Sequence, residues 1–297
     1  MSWPKFKREV EDRAARFQRS LNELLVAAVP GPTEYHQAGE STGAEQRLRA
    51  EPALASGNMY AASVAGNSET VRRILEERPE LASTAGGPNN WVPLLYVCFS
   101  RLLRCHPEAS DRFVATAKVL LTHGADANCA FDSNGERESA LYGAAGVVKC
   151  APITRLLLEC GADPNDDEAT YHAAEEPGVA CLNAMVEYGH DLNATGTALL
   201  RKLDFDDVAG VTRLLDLGAD PDAGMRHWGK TALHQAIVRG RSLETIRLLM
   251  AAGADLNALS RGGKTPYALA VELGRDDVTA ELIAAGARVT NGCVRFE

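Results

Sequence analysis

Gly229-Lys-Thr-Ala-Leu-His-Gln-Ala-Ile-Val-Arg-Gly-Arg-Ser-Leu-Glu-Thr-Ile-Arg-Leu-Leu-Met-Ala-Ala-Gly-Ala-Asp-Leu-Asn257 decides the reading of the chain, because its pattern recurs. The next copy begins Gly263-Lys-Thr-Pro-Tyr-Ala-Leu-Ala-Val271 and closes Leu282-Ile-Ala-Ala-Gly-Ala287. Each part of the unit has a physical reason. A Thr such as Thr231 or Thr265 caps a first helix, and Pro266 at its first position costs no hydrogen bond. Paired aliphatics in a second helix supply core: Ile74-Leu75, Leu120-Leu121, Leu156-Leu157, Leu214-Leu215, Leu248-Leu249 and Leu282-Ile283. Gly ends that helix in a left-handed cap, and an Asp-x-Asn or Asp-x-Asp turn follows at Asp126, Asp163, Asp191, Asp220 and Asp255.

Working outward, first helices are marked by Gly57, Val92, Ser139, Glu168, Thr197, Thr231 and Thr265, at intervals of 35, 47, 29, 29, 34 and 34 residues. The long interval is attributed to Arg101–Arg112, read as a lengthened link between the two helices of repeat two. The register and the Thr-Pro-Leu-His-x-Ala-like motif resemble the ankyrin repeat, a β-turn followed by two antiparallel helices. The resemblance covers most of the chain. It implies an all-α fold, an ankyrin-repeat α-solenoid of about seven helix pairs with short β-turn fingers, almost no sheet and an N-terminal helix. Such units bury their apolar faces only against neighbours. The expected organisation is an amphipathic helix over 1–29, a linker and cap over 30–55 and the repeat domain over 56–297.

Composition narrows the function. A net charge of −9 argues against non-specific nucleic-acid binding, which needs a dense basic surface. Seven Cys with no Cys-x-x-Cys fit free thiols in a reducing compartment, hence a cytoplasmic location. No stretch is long enough to span a membrane. Cys105 with His106 lacks further ligands at metal spacing, so no metal and no cofactor are expected. Nucleophile elbows, phosphate-binding glycine loops and His-Glu-x-x-His are absent from the sequence, so the chain is not read as an enzyme. Residues 1–19 carry Lys5, Lys7, Arg8, Arg13, Arg16 and Arg19 against Glu9, Glu11 and Asp12. Phe6, Val10, Ala14, Phe17, Leu21, Leu24 and Leu25 recur there at helical spacing, which predicts one helix covering the edge of the first repeat, with an interaction arm as the alternative.

The ankyrin resemblance places recognition at the x of Leu-His-x-Ala, one turn later on the same helix, and at the fingers. The residues so placed, as a partner-binding strip, are Trp91, Tyr96, Arg101, His172, Glu175, Arg201, Asp204, Trp228, Gln235 and Arg239. They mix aromatic anchors with both charge signs where alanine would stack as well, and so point to a protein partner of unknown identity. The alternative is a small-molecule ligand or atypical catalysis near Tyr96, His172 and Arg201, with His172 beside Glu175 as a general base. His234 is expected to bond turn backbone, and Asp206 and Asp207 to cap a second helix.

Overall fold

The structure is a computed structural model that describes residues 3–29, 41–175 and 177–289. Residues 30–40 of the expected linker, the Phe6 side chain, Glu176 and residues 290–297 lie outside what is described. The chain divides into two compact units, Met1–Ala169 and Thr170–Glu297.

Seven helix pairs follow one another among the described residues. In the first unit they are Met59–Val64 with Ser68–Glu77, Pro93–Cys98 with Ser110–Thr122, and Ala140–Tyr142 with Ala151–Glu159. The first helix of repeat three widens into a π turn over Gly143–Val147, where Val148 N–H reaches back to the Gly143 carbonyl. The unit boundary falls within Asp167–Ala173, the first helix of repeat four. That helix pairs with Ala180–Glu187, and the second unit continues with Thr197–Lys202 and Val208–Asp216, Ala232–Val238 and Leu243–Ala251, and Pro266–Glu272 and Asp276–Ala284.

Local chemistry explains where these helices begin. Side-chain oxygens of Asn58, Asn67, Ser139, Asp207, Thr231, Ser242 and Thr265 accept the orphan N–H groups. In repeat four the cap is Asp166, which accepts from Ala169 N–H at 2.9 Å, so this helix starts two residues ahead of the Glu168 register. His234 takes the backbone role expected of it. Its Nδ1 accepts from Thr231 N–H at 3.3 Å, and its Nε2 lies 2.9 Å from the Lys264 carbonyl of the next repeat. Burial lowers the His234 pKa, which suits a neutral ring donating from Nε2.

The aliphatic pairs of the second helices divide their labour. Leu75, Leu120, Leu157, Leu214, Leu249 and Leu282 are wholly buried, whereas Ile74, Leu121, Leu156, Leu215 and Leu248 are half-buried and Ile283 is exposed. Adjacent residues on a helix point about 100° apart, so only one of each pair faces squarely into the stack.

All five closing turns form as Asx turns, with Asp126, Asp163, Asp191, Asp220 and Asp255 accepting from the N–H two residues on. The third residue of the turn then bridges to the next repeat. Asn128 accepts from Asp163 N–H and donates to the Gly161 carbonyl, and Asn193 does the same with Asp220 and Gly218. Asp222 occupies this place one repeat later. It accepts from Asp255 N–H at 2.9 Å but has no amide to offer Gly253, and its Oδ1 is buried without a partner. Burial raises the Asp222 pKa, partly offset by the Asp255 N–H. The folded state therefore holds this proton more tightly than the unfolded chain. The group's favourable contribution is complete below the ordinary carboxylate range and is lost as pH rises through the raised value. Asp222→Asn is expected to raise stability by about 1 kcal/mol at neutral pH, with a smaller gain in acid, in urea melts at both pH values.

Two features depart from the sequence expectation. The finger of repeat three is a β-hairpin, Ala130–Ser133 against Glu136–Ser139, turned through Asn134 and Gly135 at φ of 56° and 91°. Asn-Gly at a two-residue hairpin turn is the residue choice such φ angles favour. The 47-residue interval therefore divides between this finger and the link after Cys98. The link is itself structured, as a helix over Arg101–Cys105 and a 3₁₀ turn over Pro107–Ala109. Leu102 and Leu103 are buried, and Arg104 donates to the Val147 carbonyl. His106 sits between Glu45 and Glu108 at 2.9 and 3.0 Å, tying the link to the helix Thr42–Ala50.

The N-terminal helix runs over Trp3–Ala28. Leu21, Leu24, Leu25 and Ala28 are buried, while residues 7–16 are exposed. Gly57 permits the close approach: a Cβ there would lie 2.4 Å from Leu21 Cδ2.

Candidate functional site

Six of the ten residues expected on the partner-binding strip are joined in the second unit. His172 Nδ1 lies 3.0 Å from Glu175 Oε2, and the other oxygen of Glu175 accepts from Arg201 at 2.6 Å. Arg201 also donates to Asp204 at 2.9 Å. The remaining oxygen of Asp204 accepts from Gln235 Nε2 at 2.5 Å and Arg239 Nε at 2.7 Å. The ladder thus crosses the first helices of repeats four, five and six. Sequence position explains it, since each member sits at the variable place of a first helix or about one turn beyond.

The centre of the ladder is Arg201. Its guanidinium lies 4.5 Å from the Tyr171 ring centroid and 4.8 Å from that of Phe205, which is 49% exposed. Cations over aromatic faces gain from the ring quadrupole. Burial works against the Arg201 charge, and Glu175 and Asp204 outweigh it, so its pKa is raised. His172 is 9% exposed with its Nδ1 turned to Glu175, a ring built into the ladder. Trp228, in the short finger helix Gly224–Trp228, is 41% exposed and donates from Nε1 to Thr197 Oγ1 at 3.2 Å.

The three residues expected on the strip from the first unit are placed differently. Tyr96 is completely buried, with its hydroxyl donating to the Gly86 carbonyl at 2.9 Å and its pKa pushed up to about 12 by burial. Trp91 is 5% exposed and stacks on Phe131 of the hairpin at 4.2 Å, with Phe99 at 5.4 Å. Both are corrected from partner contacts to core: Tyr96 packs against Tyr60 and Trp91, and Trp91 against Phe99 and Phe131. Tyr96 consequently presents no ring face to a ligand. Arg101 opens the helix of the link and is half-buried.

Lys202 lies outside the residues expected from the sequence. It is 0% exposed, and its Nζ donates to Asp207 at 2.8 Å and to the Gly178 carbonyl at 2.5 Å. Asp207 also caps the next helix through Gly210 N–H and accepts from Gly178 N–H. Burial would raise the Asp207 pKa, but Lys202 and these N–H groups outweigh it and lower it. A Cβ at Gly210 would lie 2.3 Å from Asp207 Oδ2 and 2.9 Å from Lys202 Cδ, so a glycine makes room for the pair. The signal was present: Thr197-Ala-Leu-Leu-Arg-Lys202 places Lys where Thr231-Ala-Leu-His-Gln-Ala236 has the small stacking residue. Glu138 of the hairpin also lies outside the expected residues. It is 4% exposed, and burial together with Glu168, Asp166 and Glu136 pushes its pKa up to about 7. No group of His, Cys, Asp and Glu suited to a metal occurs among the described residues.

Stacked helix pairs closed by Asx turns define a helical repeat protein. Residues 199–292 match the family model for ankyrin repeats in three copies, and the chain has the ankyrin-repeat fold. It is 31% identical over 160 residues to ankyrin repeat and SOCS box protein 6 of Homo sapiens, a match covering 46% of this chain and 37% of that protein. A 36% identity over 74 residues relates it to the 2-5A-dependent ribonuclease of Mus musculus, covering 25% of this chain and 10% of the enzyme. The chain thus spans well under half of these relatives. Among solved structures, the human ASB11 ankyrin repeat domain superposes with a TM-score of 0.59 at 22% identity, covering 78% of this chain and 99% of that one. That likeness establishes the fold. Ankyrin repeats are in general protein–protein interaction modules. No helix among the described residues is long and apolar enough to cross a membrane.

Proposed function

We propose that the chain is a non-enzymatic interaction module of the cytoplasm that holds a protein partner on the first-helix face of repeats four to six. The observation that carries this reading is the ladder His172–Glu175–Arg201–Asp204–Gln235/Arg239. Surface ion pairs add little to stability, and the helices would stack as well with alanine at these places. A ladder that fixes its side chains in advance lowers the ordering cost of binding. Phe205 and Trp228, both substantially exposed, supply apolar anchors in the same repeats.

Arg201→Ala and Trp228→Ala are each expected to weaken binding of the captured partner by about 2 kcal/mol or more, with the melting curve little changed. Isothermal titration of the folded variants checks this. Unchanged affinity in both would move the working surface elsewhere. If His172→Ala abolished turnover of a small molecule while partner binding persisted, the reading as an interaction module would give way to an enzymatic one.

A further inference from the structure

The N-terminal helix carries one apolar seam with two fates. Val10, Ala14, Phe17, Leu21, Leu24 and Ala28 follow at alternating spacings of four and three, so they share one face. From Leu21 onward that face is buried, packed on the helix Thr42–Ala50, the turn Pro52–Ser56 and the first helix of repeat one. Above Leu21 the same face loses its cover by degrees among the described residues: Phe17 is half-buried, Ala14 is exposed and Val10 is 51% exposed. Beside it runs a groove of about 650 Å³ lined by Val10, Arg13, Ala14, Arg16 and Phe17 of the helix and by Glu51. Among the described residues neither Arg13 nor Arg16 carries an ion pair.

We propose that this groove docks an amphipathic α-helix of another protein, with apolar anchors spaced three and four apart and carboxylates on its flank. The seam prolongs an interface already made inside the chain by helical packing, so a helix is the occupant whose side chains repeat at the matching spacing. Two guanidinium groups against one carboxylate at the groove select an acidic flank. A lipid surface is less suited, because the groove is lined from two elements, Val10 to Ser20 of the helix and Glu51 with Ala53 beyond it, rather than from one exposed helix face alone. A second copy of this half is less suited as well, since Lys7, Arg8, Arg13, Arg16 and Arg19 leave it net basic. This surface belongs to the first unit and does not depend on the ladder of the second.

The test uses the full chain and a labelled synthetic amphipathic helix of leucines flanked by glutamates, beside a matched helix flanked by lysines. The acidic helix is expected to bind, and the lysine-flanked helix to bind at least about tenfold more weakly. Val10→Asp is expected to lower affinity for the acidic helix about tenfold or more, with an unchanged melting curve because Val10 is exposed. Arg13→Glu with Arg16→Glu should reverse the preference between the two probes. Equal binding of both helices, or of neither, overturns the proposal. Binding to phosphatidylserine vesicles, or self-association in sedimentation, that is lost on Val10→Asp while the acidic helix fails to bind also overturns it.

Discussion

Asp207→Ala is expected to lower folding stability by about 3–5 kcal/mol, because it strips the carboxylate from a lysine that is wholly out of water. The Lys202 side chain is 0% exposed and its Nζ is held by Asp207 and the Gly178 carbonyl, so removing the carboxylate leaves only the carbonyl of these two partners. The substitution also removes the cap on Gly210 N–H and the acceptor of Gly178 N–H. Lys202→Met combined with Asp207→Asn separates these contributions. The methionine fills the space without a charge, and the asparagine keeps an oxygen for the cap, so most of the loss should return. Urea melts of the three proteins decide it: a loss below about 1 kcal/mol for Asp207→Ala would show that the pair is solvated. The lowered pKa of Asp207 adds a pH signature. Its stabilisation is present above the ordinary carboxylate range and is lost as pH falls through the lowered value.

Leu214→Ala is expected to cost about 2–5 kcal/mol, the range for deleting a fully buried leucine and leaving a cavity. Leu215→Ala, one residue on and half-buried, should cost clearly less. The contrast tests which member of the pair enters the stack. Equal losses would place both in the core and contradict the observed burial.

The repeats were legible because their determinants are local. Gly after the second helix, Asp two residues on, and a cap before the first helix each act within a turn of chain, so Gly253-Ala-Asp-Leu-Asn257 reads the same in sequence and structure. The inner-helix places of repeats four to six were legible for the same reason, by counting from Thr231 and Thr197. What escaped depended on contacts between repeats. Tyr96 occupies a variable position, yet it is buried because its own finger, through Gly86, Asn89 and Trp91, closes over it while Tyr60 of repeat one packs on its ring. Lys202 drew no expectation from the sequence, although its place at the small-residue position called for a buried partner. The hairpin was locally encoded in Asn134-Gly135 and was obscured by attributing the whole long interval to the link. The N-terminal helix was readable as amphipathic, but where its cover stops depends on the lengths of the capping elements beneath it.

Binding of a protein partner on the first-helix face of repeats four to six can be mapped on the intact protein. It is tested most directly by affinity capture on the full chain followed by cross-linking mass spectrometry. A photoreactive residue is placed in turn at Phe205, Val238 and, as controls, Glu244 and Asp216 on second helices. Partner adducts are expected at Phe205 and Val238, both exposed, with little at the controls. Adducts concentrated at Glu244 and Asp216 would contradict that placement.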